Sequence, residues 1–162
     1  MRRCLRLLAP ALLLLFAPRP AHADATAFLS AVTAPEARGG YGFALGAGFL
    51  VVGIEFEYAR TGEDDLGLAP SLTTGMGNLF VQSPVALGGI QLYGTVGGGF
   101  YRERLERIDR QETQAGLNLG GGAKIGLAGP LRLRLDYRFF RLAGDPIEPT
   151  VHRFYAGINL AF

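Results

Sequence analysis

From Phe154 to the last residue, every second side chain is apolar: Phe154, Ala156, Ile158, Leu160 and Phe162 alternate with Tyr155, Gly157, Asn159 and Ala161, with Arg153 just before them. A β-strand has a period of two, so such a segment has one apolar face and one polar or small face. The same pattern recurs upstream. Leu131, Leu133, Leu135, Tyr137 and Phe139 oppose Arg132, Arg134, Asp136 and Arg138, and Leu50, Val52, Ile54, Phe56 and Tyr58 oppose Gly53, Glu55, Glu57 and Ala59. Alternation leaves the sense of the faces open. A soluble barrel turns the apolar face inward, whereas a barrel in a bilayer turns it out to lipid.

Turn signals divide the chain into eight strands near Ala27 to Thr33, Tyr41 to Gly48, Leu50 to Arg60, Ser71 to Gln82, Gly89 to Arg102, Gln114 to Gly126, Leu131 to Arg141 and Val151 to Phe162. Their lengths suit tilted strands that cross a membrane. Connections after the odd strands are polar: Pro35-Glu36-Ala37-Arg38, Thr61 to Asp65, Arg104 to Arg110 and Gly144 to Pro149. Those after the even strands, at Gly48-Phe49, Ser83 to Leu87 and Leu127 to Pro130, are shorter or less charged. Long loops on one rim and short turns on the other predict an all-β, antiparallel, up-and-down transmembrane barrel with both termini at the periplasmic end.

The N-terminus supports export. Arg2, Arg3 and Arg6 precede the apolar run Leu7 to Ala17, and Ala21-His22-Ala23 has the small-x-small form of a cleavage site. Residues 1–23 therefore read as a secretory signal peptide and 24–162 as the barrel domain. The run is interrupted by Pro10 and Pro18 and is shorter than the roughly 20 apolar residues of a spanning helix. Cys4 falls inside the signal, too early for lipoprotein acylation, so the mature chain has no thiol and no Cys-bound metal. Loss of Arg2, Arg3, Arg6 and Arg19 takes the sixteen basic residues to twelve against fourteen acidic ones, so a formal +2 becomes −2. The basic character of the precursor is thus no argument for nucleic acid.

The segments Gly53 to Ala59, Gly77 to Phe80, Gly89 to Phe100, Gly116 to Gly122 and Leu133 to Phe139 resemble successive strands of the small outer-membrane β-barrel family related to opacity proteins, OmpX and the OmpA transmembrane domain. The resemblance spans nearly the whole mature chain. It implies eight antiparallel strands, insertion into the bacterial outer membrane from the periplasmic side after general secretory export, and adhesion, host-interaction or structural roles. Tyr155, Gly157, Leu160 and Phe162 also look like the terminal signal read by the outer-membrane assembly machinery.

With the apolar faces on lipid, the lumen receives Glu55, Glu57, Asn78, Gln91, Tyr93, Asn118, Lys124, Arg132, Arg134, Asp136, Arg138 and Arg153. Eight strands enclose only enough space for side chains, so acids on the third strand should pair with bases on the sixth to eighth, forming a plug. Glycine-rich stretches at Gly94 to Gly99 and Gly116 to Lys124 fit neither phosphate-loop pattern and read as room for lumen neighbours such as Tyr93.

The dense charges from Tyr101 to Arg110 read as a solvated outer hairpin or short helix. Arg102, Arg104, Arg107 and Arg110 are the candidate surface contacts, to lipopolysaccharide phosphates or an extracellular macromolecule. His152, the sole mature histidine, has no metal-ligand spacing around it, and no local motif joins it to Ser30, Ser71 or Ser83 as a hydrolase would require. The expectation is a barrel without cofactor or catalytic site. The alternatives are a small barrel enzyme acting on lipid, a narrow-pore transporter, or a soluble lipocalin-like barrel with reversed faces.

Overall fold

The computed structural model describes residues 22–33, 37–63, 69–105, 110–146 and 148–162. Eight strands run in chain order: β1 His22–Thr33, β2 Ala37–Phe49, β3 Val52–Thr61, β4 Ser71–Gln82, β5 Ile90–Leu105, β6 Arg110–Ala128, β7 Leu131–Leu142 and β8 Thr150–Ala161. Each pairs antiparallel with its neighbours, and β1 pairs with β8 from Asp24↔Ala161 to Val32↔Arg153, so the sheet closes into a barrel without free edges. Closure satisfies the backbone between strands, which a bilayer demands of any spanning structure.

The faces divide as a membrane barrel requires. Leu29, Leu45, Ile54, Leu79, Val96, Leu119 and Ile158 stand exposed on the outer wall, while Glu57, Arg134, Arg138, Arg153 and Asn159 are buried inside. A water-soluble barrel would carry the opposite arrangement. The lumen face of β2 is Arg38, Gly40, Gly42, Ala44, Gly46 and Gly48, which leaves space for large side chains from neighbouring strands. At Gly42 an added Cβ would meet the Phe28 ring, and at Gly122 it would meet the Tyr93 hydroxyl.

Several boundaries differ from those expected of the sequence. β1 begins at His22 instead of Ala27, because the run from His22 to Thr26 is paired to β2 between Gly48 and Ala44. The β2–β3 turn is Leu50-Val51, not Gly48-Phe49, and Leu50 takes φ 58°. That conformation costs a non-glycine residue about 1 to 2 kcal/mol. The described part of the charged segment takes the hairpin form of the two expected: β5 continues to Leu105 and β6 starts at Arg110, with Glu103 opposite Glu112 and Arg104 opposite Gln111. β5 and β6 thus form a ribbon that rises above Leu142, the last residue of β7, which pairs with Gly116.

At the other rim, Gly88 and Gly89, both at positive φ, join Leu87 to Ile90 as a primed hairpin turn. Most of the export segment, Pro35, Glu36, Asp64, Asp65 and Arg107 lie outside the described residues.

Candidate functional site: the sealed lumen and the outer collar

β3 and β7 supply the centre of the lumen. Glu55 accepts hydrogen bonds from Arg134 Nη1 at 2.5 Å and Nη2 at 3.2 Å, and from Arg138 Nη2 at 2.8 Å. Asp136 accepts from Arg138 Nε at 2.8 Å and lies 3.3 Å from Arg134 Nη2. The Tyr93 hydroxyl donates to Asp136 and accepts from Arg134 Nε at 2.7 Å. Glu57 accepts from Arg153 Nη1 at 2.9 Å, and its other oxygen stands 3.3 Å from Arg138 Nη2 as an ion pair without hydrogen-bond alignment. Arg153 Nη2 donates to Thr74 Oγ1 at 3.0 Å. Such dense bonding is what tolerates charge in a place without bulk water, since an unpaired buried ion costs several kcal/mol.

Aromatic faces complete the packing. The Arg134 guanidinium carbon sits 4.7 Å from the Tyr93 ring centroid, that of Arg153 sits 4.4 Å from Phe140, and Tyr155 stacks on Phe28 at 4.1 Å. Cation–π contacts of this sort gain strength when desolvated.

Lys124 departs from the expected partner. Its Nζ lies 2.5 Å from Asp24 Oδ2 on β1, instead of meeting an acid of β3. Arg132 is half-buried near the mouth at the rim of the β4–β5 turn and donates to Gln91 Oε1 at 3.1 Å, with no acid among the described residues bonded to it. Around them is a recess of about 310 Å³ lined by Gln91, Lys124, Gly126 and Arg132.

The outer part of the lumen holds an apolar cluster beside buried Arg38, Thr61 and Glu103. Val32, Leu72, Met76, Tyr101, Phe140, Leu142 and Val151 form one buried apolar cluster, and the Tyr101 hydroxyl donates to Ala143 O at 2.5 Å. Arg38 is buried and donates to Pro70 O, which ties β2 to the β3–β4 connection. Beyond the ionic cluster, the bore is therefore packed by a second, largely apolar group of side chains with a few buried polar ones among them. Sequence reasoning overlooked the second, although Phe140 and Leu142 share the parity of Arg134 and Arg138.

On the outside wall, Arg60, Arg102 and Arg141 each stand two residues beyond an outward aromatic, Tyr58, Phe100 and Phe139. Arg104 continues the column on β5. These exposed arginines make a basic collar above an aromatic band at the rim with the longer loops. At the opposite rim the matching outward positions are Phe49, Val52, Val81, Ile90, Leu131 and Leu160, all apolar. Arg107 and the Arg110 side chain lie outside the described residues.

Of the four terminal residues singled out in the sequence, Tyr155 and Gly157 face the lumen, while Leu160 and Phe162 face outward. His152 is on the outer wall, where its Nδ1 lies 2.7 Å from the Tyr137 hydroxyl. Ser30 faces the lumen, Ser71 is on β4 and Ser83 follows β4 at the far rim, so none of the three is brought beside it. Among the described residues no group of His, Asp and Glu could hold a metal.

The profile of the outer membrane protein beta-barrel domain matches residues 9–162. The chain belongs to this family. Its outward apolar wall accordingly lies in a bacterial outer membrane. Comparison with curated proteins finds no sequence match.

Among solved structures, Neisserial surface protein A is similar at TM-score 0.69 and 13% identity, with 88% of this chain and 97% of that one covered. Ail, the attachment invasion locus protein of Yersinia pestis, solved with the heparin analogue sucrose octasulfate, gives 0.60 and 14%, covering 89% and 100%. The outer-membrane enzyme PagL gives 0.52 and 12%, covering 85% and 98%. At these identities the likeness shows the fold, and a fold that serves surface proteins and an enzyme does not assign an activity.

Proposed function

We propose that this outer-membrane barrel is non-catalytic and serves the envelope through its outer surface, as a structural element and a surface-interaction or adhesion protein. The observation that carries this reading is the filled bore: the Glu55–Arg134–Arg138–Asp136 cluster and the largely apolar group above it leave the outer wall and loops as the faces on which a partner can act. The basic collar supports contact with phosphates of the lipopolysaccharide leaflet, because guanidinium groups bind phosphate through paired hydrogen bonds.

The test is conductance. Monomeric barrels reconstituted in planar bilayers should show no porin-sized steps, since a lumen of eight strands holds only side chains. Large, reproducible openings from verified monomers would overturn the sealed-lumen reading and favour a transporter.

A further inference from the structure

We infer that the mouth of the bore at the rim of the β4–β5 turn binds a carboxylate, held by Arg132. Among the described residues, the acids facing the ionic part of the bore are Asp24, Glu55, Glu57 and Asp136. Lys124 meets Asp24, Arg153 meets Glu57, and Arg134 and Arg138 share Glu55 and Asp136. Arg132 is a further cation on the same face, with no acid among the described residues bonded to it. One positive charge is therefore left over, and it stands where the bore opens.

A neutral partner holds the guanidinium in place. Gln91 Oε1 accepts from Arg132 Nη1 at 3.1 Å, while Gln91 Nε2 donates to Ser83 O at 3.1 Å, which aims the amide oxygen at the arginine and anchors it to the β4–β5 turn. An arginine kept for solubility alone would extend into water; this one is half-buried. Its Nε and Nη2 have no hydrogen-bond partner among the described residues. That edge of the guanidinium presents two parallel N–H groups, the fork that matches the two oxygens of a carboxylate.

β5, β6 and β7 bring Gln91, Lys124 and Arg132 to one recess of about 310 Å³. Gln91 is directly opposite Lys124, and Arg132 is opposite Gly126, so Arg132 and Lys124 are diagonal neighbours. The rest of the lining is small, and at Gly126 an added Cβ would meet only Gly89 O, at 3.6 Å, which leaves room for the body of a ligand. Lys124 adds positive potential, but its Nζ is bound to Asp24 and lies over the Phe80 and Tyr93 rings. With a single charge in surplus, a monoanion is matched; a doubly charged ion would bring a second negative charge towards Asp24 with nothing to offset it. The site lies at the other end of the bore from the basic collar and goes beyond the outer-surface reading.

The isotope-labelled protein would be refolded in detergent micelles and titrated with sodium acetate at constant ionic strength, with the Arg132 Nε and Gln91 side-chain signals followed by nuclear magnetic resonance. A saturable shift of both is expected, and none when chloride takes the place of acetate. Arg132→Gln, read at the Gln91 amide, should weaken acetate by about tenfold or more, the change expected when a charged hydrogen-bonding partner is lost. Arg132→Lys should keep part of the affinity, since it retains the charge without the fork. Gly126→Leu keeps every charge, fills the recess and should also weaken acetate. Arg60→Gln, on the collar at the other rim, should bind as wild type does. Heat-dependent gel mobility checks that each variant is folded.

Trialanine and its C-terminal amide separate two sources of the carboxylate. Tighter binding of trialanine than of acetate assigns the site to the end of a peptide, and equal or weaker binding assigns it to a small organic acid; the amide should bind in neither case. Absence of a saturable shift would overturn the site. So would an equal response to chloride, equal acetate binding by Arg132→Gln, binding of the amide as tight as that of the acid, or tighter binding of phosphate than of acetate.

Discussion

Glu55→Leu should destabilise the folded barrel by about 3 to 5 kcal/mol, the range for breaking a buried ion pair by removing one partner. Glu55 is the carboxylate shared by Arg134 and Arg138, and these guanidinium groups are 1% and 0% exposed. Without it, Asp136 is left as the acid bonded to Arg134 and is still claimed by Arg138 Nε. Arg134 cannot reach bulk water without dismantling its packing on Tyr93 and Tyr155, and Arg138 is wholly buried beside it.

Replacing Arg138 as well, as Glu55→Leu/Arg138→Met, should recover part of the loss, since the second change removes one of the uncompensated charges. Urea unfolding in detergent, followed by heat-dependent gel mobility, measures both. A loss under about 1 kcal/mol for Glu55→Leu would mean that water reaches the cluster and that the bore is not sealed.

The second large effect separates the faces of β7. Leu135, in the middle of that strand and outward, should not accept a cation: Leu135→Arg is expected to cost about 2 to 4 kcal/mol in liposomes, the range for arginine on the lipid face near the midplane. Arg132→Leu should cost only about 1 kcal/mol, because the half-buried Arg132 side chain surrenders one hydrogen bond to Gln91 near an open mouth. Insertion yield into liposomes should follow the same order. A smaller loss for Leu135→Arg than for Arg132→Leu would reverse the assigned faces.

Much of this architecture is legible in the sequence where side chains are large and their alternation is unbroken. β4, from Ser71 to Gln82, is bounded by Pro70 and by Ser83-Pro84, and its ends coincide with those read from sequence. The start of β1 was hidden because Ala23, Ala25 and Ala27 carry little contrast against Asp24 and Thr26; pairing to β2 and β8 decides that segment. From Tyr101 to Leu105 the obstacle was different. Charges of both signs on successive residues mask a period of two, and the ladder between β5 and β6 holds a strand there regardless.

The lumen shows the same division. Parity alone places Glu55, Glu57, Arg134, Arg138 and Arg153 on inward faces, but partners across a barrel depend on strand tilt and stagger, which no single strand records. Lys124 thus meets Asp24, a hundred residues away, across the bore. The apolar cluster was readable in principle, since Val32, Leu72, Met76, Phe140 and Val151 all lie on the inward parity of their strands. Charges draw attention to that face and the apolar members pass unnoticed. The arginine collar needed the fold as well, because Arg60, Arg102 and Arg141 are distant in sequence and become one rim only when β3, β5 and β7 run in the same direction.

The most direct test of an apolar wall in lipid around a sealed, charged bore uses the absence of cysteine after residue 4, which allows single nitroxide labels without background. Labels would be placed at Leu119, Leu135 and Ile158 on the outer wall, and at Leu87 in the β4–β5 turn as the water-exposed reference. In liposomes the three wall labels should collide readily with oxygen and scarcely with a water-soluble nickel chelate, with the reverse at Leu87. Free access of the nickel chelate to the wall positions in correctly folded protein would place that apolar face in water or against an aqueous bore, and would contradict the account.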